Sequence, residues 1–214
     1  MPDRSSLEFK GVYFLKLNDT CGWDGTTGNV YSLDGELNVS PDVLKAANKL
    51  VPTYQLVVQI TNNMSKDPVQ TQGTVISDKT RNDFVLKEIQ YSYTCRDSTA
   101  NCAGFKPPQA KSEAKLGYIA AGGDGNFSLS VLTDEVAEEL ALWEPEGATI
   151  LVGIKFKGVL ASGAAIETDT LSYPIFVYSA PLNTCSTGQI PSLTTCPNMF
   201  GQDGFDSARL HRPG

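Results

Sequence analysis

The sequence predicts an all-β fold: a two-sheet antiparallel sandwich of the immunoglobulin or fibronectin-III kind, with two short connecting helices. Three observations predict it. Apolar residues recur at every second position in run after run, turn-forming residues separate the runs, and strands do not alternate with long helices. Strict alternation gives each strand one apolar and one wet face, the habit of antiparallel sheets. Such sheets bury their apolar faces by packing against each other.

The elements follow in chain order. "LEFKGVYFLKL" (7–17) reads as a strand with Phe9, Tyr13, Leu15 and Leu17 on one register. "VYSLDGELNV" (30–39) reads as a hairpin, because Asp34-Gly35 suits a type I′ turn between strands. "SPDVLKAANKLVP" predicts a helix near 41–50. Ser40 is its N-cap, Pro41 its first helical residue and Asp42 lies in its first turn, while Pro52 stops it. In "YQLVVQIT", Tyr54, Leu56, Val58 and Ile60 share one face, and Gln55, Gln59 and Thr61 take most of the other. "DFVLKEIQYSYTC" is apolar first at Phe84 and Leu86, then on the opposite register at Ile89, Tyr91 and Tyr93, which predicts a bulge between them.

"FSLSVL" alternates Phe127, Leu129 and Val131 with serines. "TDEVAEELALW" predicts a helix near 134–143, with acids at its N-terminus and Val136, Leu140 and Trp143 on one stripe. "TILVGIKFKG" places Ile150, Val152, Ile154 and Phe156 on one side, and "LSYPIFVY" does so with Leu171, Tyr173, Ile175 and Val177. Pro174 marks an edge or a bulge. The expected core is Leu56, Val58, Ile60, Val152, Ile154, Phe156, Ile175 and Val177. Residues 1–180 then form the sandwich domain, and 181–214, rich in Pro and Gly, form a loop-rich, disulfide-stapled C-terminal extension.

Composition narrows the function. Hydrophobic residues make up 41% of the 214 residues, enough for a core. The net charge of -7, with 17 scattered basic residues, argues against nucleic acid as a partner. No apolar run approaches the ~20 residues of a membrane-spanning helix. The polar start fits a mature chain from which an export signal or lipid-anchor cysteine has been removed.

The five cysteines are Cys21, Cys95, Cys102, Cys185 and Cys196. Neither the paired spacing of structural zinc nor a C-x-x-C redox motif is present. Local disulfides Cys95–Cys102 and Cys185–Cys196 are therefore expected. They favour an extracytoplasmic setting: secreted, periplasmic or outer-membrane surface. Cys21 is left over, as a buried thiol or as a partner of the C-terminal pair, since connectivity is not readable from sequence.

The succession "YQLVVQITNNM", "NDFVLKEIQYSYT", "AGGDGNFSLSVLTDEVAEELALW", "ATILVGIKFKGVLASG" and "LSYPIFVY" resembles the late-embryogenesis-abundant type 2 (water-stress and hypersensitive response) β-sandwich over residues 54 to 178. Asn62-Asn63 stands where that family has a spaced asparagine pair, but here the two are contiguous. The resemblance implies a fibronectin-III-like sandwich and no catalytic residues. General features of bacterial surface or outer-membrane lipoproteins fit as well.

Catalytic chemistry finds little to build on. His211 is the one histidine, so no Ser or Cys nucleophile has an obvious base. Asp34, Glu138 and Glu139 sit in a turn and on helix faces, where solvated surface is the ordinary role. No catalytic residue and no cofactor is expected. The loops 18–29, 122–126 and 201–206 are rich in Asp, Asn and Gly, which makes Asp19, Asp24, Asp203 and Asp206 calcium candidates. Their spacing is not that of an EF-hand, and Asp-Gly is ordinary turn chemistry. Trp23 is the candidate ligand contact. The expected function is a non-enzymatic, extracytoplasmic sandwich that presents a binding surface, with protein partners of an envelope or surface assembly, or self-association. The alternative is a small-ligand or carbohydrate module using the 18–29 loop. A first test follows from the cap: Ser40→Ala should lower stability by ~1 kcal/mol in denaturant melts, and an unchanged midpoint would count against a helix starting there.

Overall fold

The computed structural model describes residues 6–13, 31–46, 48–66, 69–71, 74–76, 81–96, 102–143 and 147–180. Within them the chain runs β1 (Leu7–Tyr13), β2 (Tyr31–Ser32), β3 (Gly35–Asn38), α1 (Pro41–Ala46), β4 (Gln55–Asn62), β5 (Val69–Thr71) and β6 (Thr74–Ile76). It continues with β7 (Phe84–Cys95), β8 (Lys111–Ile119), β9 (Asp124–Ser130), α2 (Asp134–Leu142), β10 (Ala148–Leu160), β11 (Ala165–Glu167) and β12 (Leu171–Tyr178). One sheet has the order β2-β1-β4-β9. The other has the order β3-β12-β10-β7-β8, with β11 also on β10. The short hairpin β5-β6 stands apart from both. This is an all-β sandwich of the expected class, and among the described residues α1 and α2 are the short helices expected, α1 ending at Ala46 rather than near 50.

Every expected core residue is buried, from Leu56, Val58 and Ile60 on β4 to Ile175 and Val177 on β12. The sheets meet on aromatic side chains. Phe9 on β1 packs edge-on to Phe156 on β10 at 5.7 Å between ring centroids, and Phe127 on β9 meets the same ring at 5.3 Å. Toward the other end, Tyr54 faces Tyr173 at 6.4 Å. Ring contacts of this kind add to the stabilisation from area burial alone.

Two bulges set the registers. The β7–β8 and β7–β10 pairings both shift register near Lys87, so the inward set changes from Phe84 and Leu86 to Ile89, Tyr91 and Tyr93, as the sequence pattern required. A second shift between Phe9 and Gly11 brings Val12, not Gly11, opposite Val58. Tyr13 then lies opposite Val57, away from the face of Phe9, which corrects the single register expected for both. Tyr13 stacks on Tyr31 instead and donates to Gln59 Oε1. Leu15 and Leu17 lie outside the described residues.

The Asp34-Gly35 hairpin expectation is also corrected. β2 pairs with β1, whereas β3 pairs in parallel with β12, so the turn carries the chain from one sheet to the other. The buried hydroxyls of Ser32 and Tyr173 lie 2.7 and 2.6 Å from the Asp34 carbonyl oxygen and hold the crossing. The β3–β12 pair is the one parallel ladder among those described. Pro174 falls just before it, because β3 pairs with β12 only from Ile175 onward, so the proline occupies a stretch with a single partner strand.

Buried polar side chains tie the ends. Asn62, fully buried, donates to the Asn82 carbonyl (2.8 Å) and the Ile119 carbonyl (3.3 Å) and accepts from the Met64 N–H (3.1 Å). Asp83 accepts from the Ala121 N–H (2.8 Å) and from the Tyr118 hydroxyl, fixing the β8–β9 turn. Gly122 takes φ +63° in that turn, a conformation in which glycine is favoured. At the opposite end, Asn38 accepts from the N–H groups of Ser40 (3.0 Å) and Ala180 (3.2 Å), joining the start of α1 to the end of β12. Ser40 accepts from the Val43 N–H at 3.4 Å, which is the expected cap.

Truncating the shared ring tests this account of the core. Phe156→Ala should cost roughly 3–5 kcal/mol, while Leu116→Ala, at a residue 82% exposed, should stay within about 0.5 kcal/mol. Guanidinium melts of both variants would check it, and comparable losses would refute the assignment of the core.

Candidate functional site

The end of the sandwich that carries both helices gathers its least ordinary features. β7 stops at Cys95, and Cys95 is joined to Cys102 with Cα atoms 5.9 Å apart. Just beyond, Phe105 stacks on Trp143 at the end of α2, with centroids 5.3 Å apart. Both rings are nearly buried, so the strap after the disulfide is anchored on the C-terminus of α2. Gly104 lies against the indole, where any Cβ would overlap it.

Next to this strap, α1 and α2 border an open groove of about 510 Å³, lined by Pro41, Leu44, Lys49, Leu50 and Ala141 among others. Leu50 is 92% exposed, and Leu142, adjacent to Ala141, is 84% exposed. Lys49 donates to Thr53 Oγ1, and its partial burial holds its ammonium below the usual lysine range. The groove is therefore apolar with a basic rim.

A second depression, about 340 Å³, opens between β8 and the β9–α2 junction. Among the described residues β8 pairs only with β7 and β9 only with β4, so the two strands part beyond their turn. Lys115 spans the gap, donating to the Ser128 carbonyl at 3.2 Å, and Lys111 forms an ion pair with Glu135. That pair holds the Glu135 carboxyl below its usual range. The floor is Tyr91, 1% exposed, whose hydroxyl is pushed well up, first by burial and then by the Glu113 carboxylate. Thr133 is the N-cap of α2, but its side chain makes no capping bond. Its buried Oγ1 lies beside the Tyr93 hydroxyl without completing a hydrogen bond. The Tyr93 hydroxyl instead donates to the Val131 carbonyl at 2.8 Å.

Of the residues singled out in the sequence, the structure brings together Cys95 and Cys102. Cys21, Trp23, Asp19, Asp24, Cys185, Cys196, Asp203, Asp206 and His211 lie outside the described residues, and so do the 18–29 loop and the 181–214 extension. Among the described residues no group of three or more metal-ligating side chains occurs, and no helix is long and apolar enough to cross a membrane. The cleft residues Tyr91, Lys111, Glu113 and Thr133 were not candidates by sequence. Tyr91 reads there as one more core aromatic, and "KSEAK" has no apolar alternation to announce a strand.

No protein-family model matches the chain, and no curated protein matches it. Among solved structures, a Northeast Structural Genomics Consortium target is 8% identical with a TM-score of 0.36, over 86% of this chain and 95% of its own. A Bordetella pertussis protein described as a "putative ApaA protein" is 13% identical with a TM-score of 0.29, over 64% of this chain and 83% of its own. Likeness at this level carries no argument about function. What the fold and this end of it define is a disulfide-clamped β-sandwich domain.

The clamp has a direct test. A non-reduced digest should release the Cys95 and Cys102 peptides joined. Replacing both with serine should cost less than the ~3 kcal/mol of a 15-residue loop, because this loop is shorter. Alkylation of both thiols without reductant would contradict the clamp.

Proposed function

We propose that this chain is a non-enzymatic, extracytoplasmic sandwich that presents a binding surface to a protein partner, as a component of a cell-envelope or surface assembly. The observation that carries the proposal is the helix-bearing end. The Cys95–Cys102 clamp, the Phe105–Trp143 anchor, a groove lined by exposed Leu50, and exposed Leu142 on the last turn of α2 occur together there. Isolated exposed leucines are ordinary, but one lining an apolar groove and another on the helix that borders it give a partner an apolar anchor point. A disulfide persists in oxidising compartments, which supports a secreted, periplasmic or outer-membrane surface location. The resemblance to the late-embryogenesis-abundant type 2 sandwich, a family that supplies no catalytic residues, supports a non-enzymatic role.

Cell fractionation tests the proposal. The native protein should be recovered from envelope or external fractions with Cys95 and Cys102 oxidised. Cross-linking there should yield a partner adduct, or a self-adduct, that the double variant Leu50→Asp with Leu142→Asp loses. Cytosolic recovery with reduced thiols, or adducts indifferent to both substitutions, would overturn it.

A further inference from the structure

Beyond the groove of the helical end, we infer that the cleft between β8 and the N-terminus of α2 is a saccharide-binding site that takes a neutral sugar unit. The inference rests on the proposed non-enzymatic binding role but uses a different surface. Buried hydroxyls ordinarily have hydrogen-bond partners. Tyr91 is 1% exposed, and its hydroxyl, which no described residue engages, opens onto the cleft that it lines. Thr133 Oγ1, at the rim of the same cleft, lies beside the Tyr93 hydroxyl and the Glu135 carboxylate without a well-formed hydrogen bond to either. The first helical bond of α2 runs from the Ala137 N–H to the Thr133 carbonyl (2.9 Å), and the preceding N–H groups have no acceptor in the helix. The cleft thus gathers the Tyr91 hydroxyl, Thr133 Oγ1 and the first-turn amides of α2 at one place, with the Glu135 N–H already engaged by its own carboxylate.

The charges select the ligand. Glu113 and Asp134 line the cleft and disfavour an anion such as a phosphate. Lys111 and the positive end of α2 disfavour a cation, although Glu135 compensates much of the lysine's charge. A neutral polyhydroxyl ligand meets neither penalty. Each sugar hydroxyl both donates and accepts, so it can donate to a carboxylate while accepting from a hydroxyl, an ammonium or an amide. Leu132 offers an apolar contact for the C–H face of the ring. The volume of about 340 Å³ lies within the range of small-molecule sites. Its open side suits one unit of a longer chain.

The test is titration of the full chain, by calorimetry and ligand-observed NMR, with glucose, galactose, mannose and N-acetylglucosamine. Glucose 6-phosphate and glucosamine serve as charged controls. At least one neutral sugar should bind, and its charged analogues should bind more weakly. Tyr91→Phe keeps the buried ring and Thr133→Val keeps the shape, and each should weaken binding about ten-fold by removing one hydroxyl. No binding by any neutral sugar, tighter binding of a charged analogue, or unchanged affinity in both variants would overturn the inference. None of these outcomes bears on the compartment or on cross-linking at Leu50 and Leu142, so the two readings fail separately.

Discussion

No strand ladder among the described residues joins the two sheets, so the sandwich depends on what its inner faces do to each other. The central contact is the Phe156 ring, reached from the small sheet by Phe9 on β1 and Phe127 on β9. This contact demands that three strands hold their registers at once. The bulge between Phe9 and Gly11 lets β1 present Phe9 and then Val12 to the core across an odd spacing. Gly117 on β8 leaves space that Phe127 fills, since a Cβ there would overlap the phenyl ring. Polar residues do a different job. Asn62, Asp83 and Asn38 satisfy backbone groups where the chain turns between layers, which keeps the ends of the sandwich from fraying.

From this packing the two surfaces at the helical end follow. α2 docks on the core through Val136, Ala137 and Leu140, and this leaves its far side and its N-terminus to the solvent. The groove beside α1 is what remains uncovered on one flank, and the cleft beside β8 is what remains on the other. β8 is an edge strand whose inward register carries Lys111, Glu113 and Lys115 before it reaches Gly117 and Ile119. Charges pointing inward on an edge strand discourage uncontrolled pairing with other chains. In this chain they also furnish the polar wall of the cleft.

Much of the fold was legible because one-sided burial leaves a period of two. β4, β9, β10 and β12 follow that pattern through their buried positions, and α2 announces itself by its acids and apolar stripe. The pattern failed where a strand obeys a different constraint. β8 gave no signal because its inward positions are charged, the very reason it lines a cleft. Asp34-Gly35 has the chemistry of a tight hairpin, but pairing of β3 with β12, over 130 residues away in sequence, outweighed the local turn preference. Tyr13 was placed on the wrong face because a bulge at one residue reverses everything after it. Cys95 with Cys102 was legible, since a short polar loop after a strand brings two cysteines within bridging range. The cleft was not, because a Tyr91 hydroxyl that opens onto it is a property of three-dimensional neighbours.

The central claim, that apolar packing about Phe156 couples two sheets that share no strand ladder into one cooperative unit, is tested most directly by native-state amide exchange on Phe156→Leu. If the account holds, the slowest amides of β4 in the small sheet and of β7 and β10 in the large sheet should lose the same free energy of protection. Loss confined to β7 and β10, with β4 as protected as before, would contradict it.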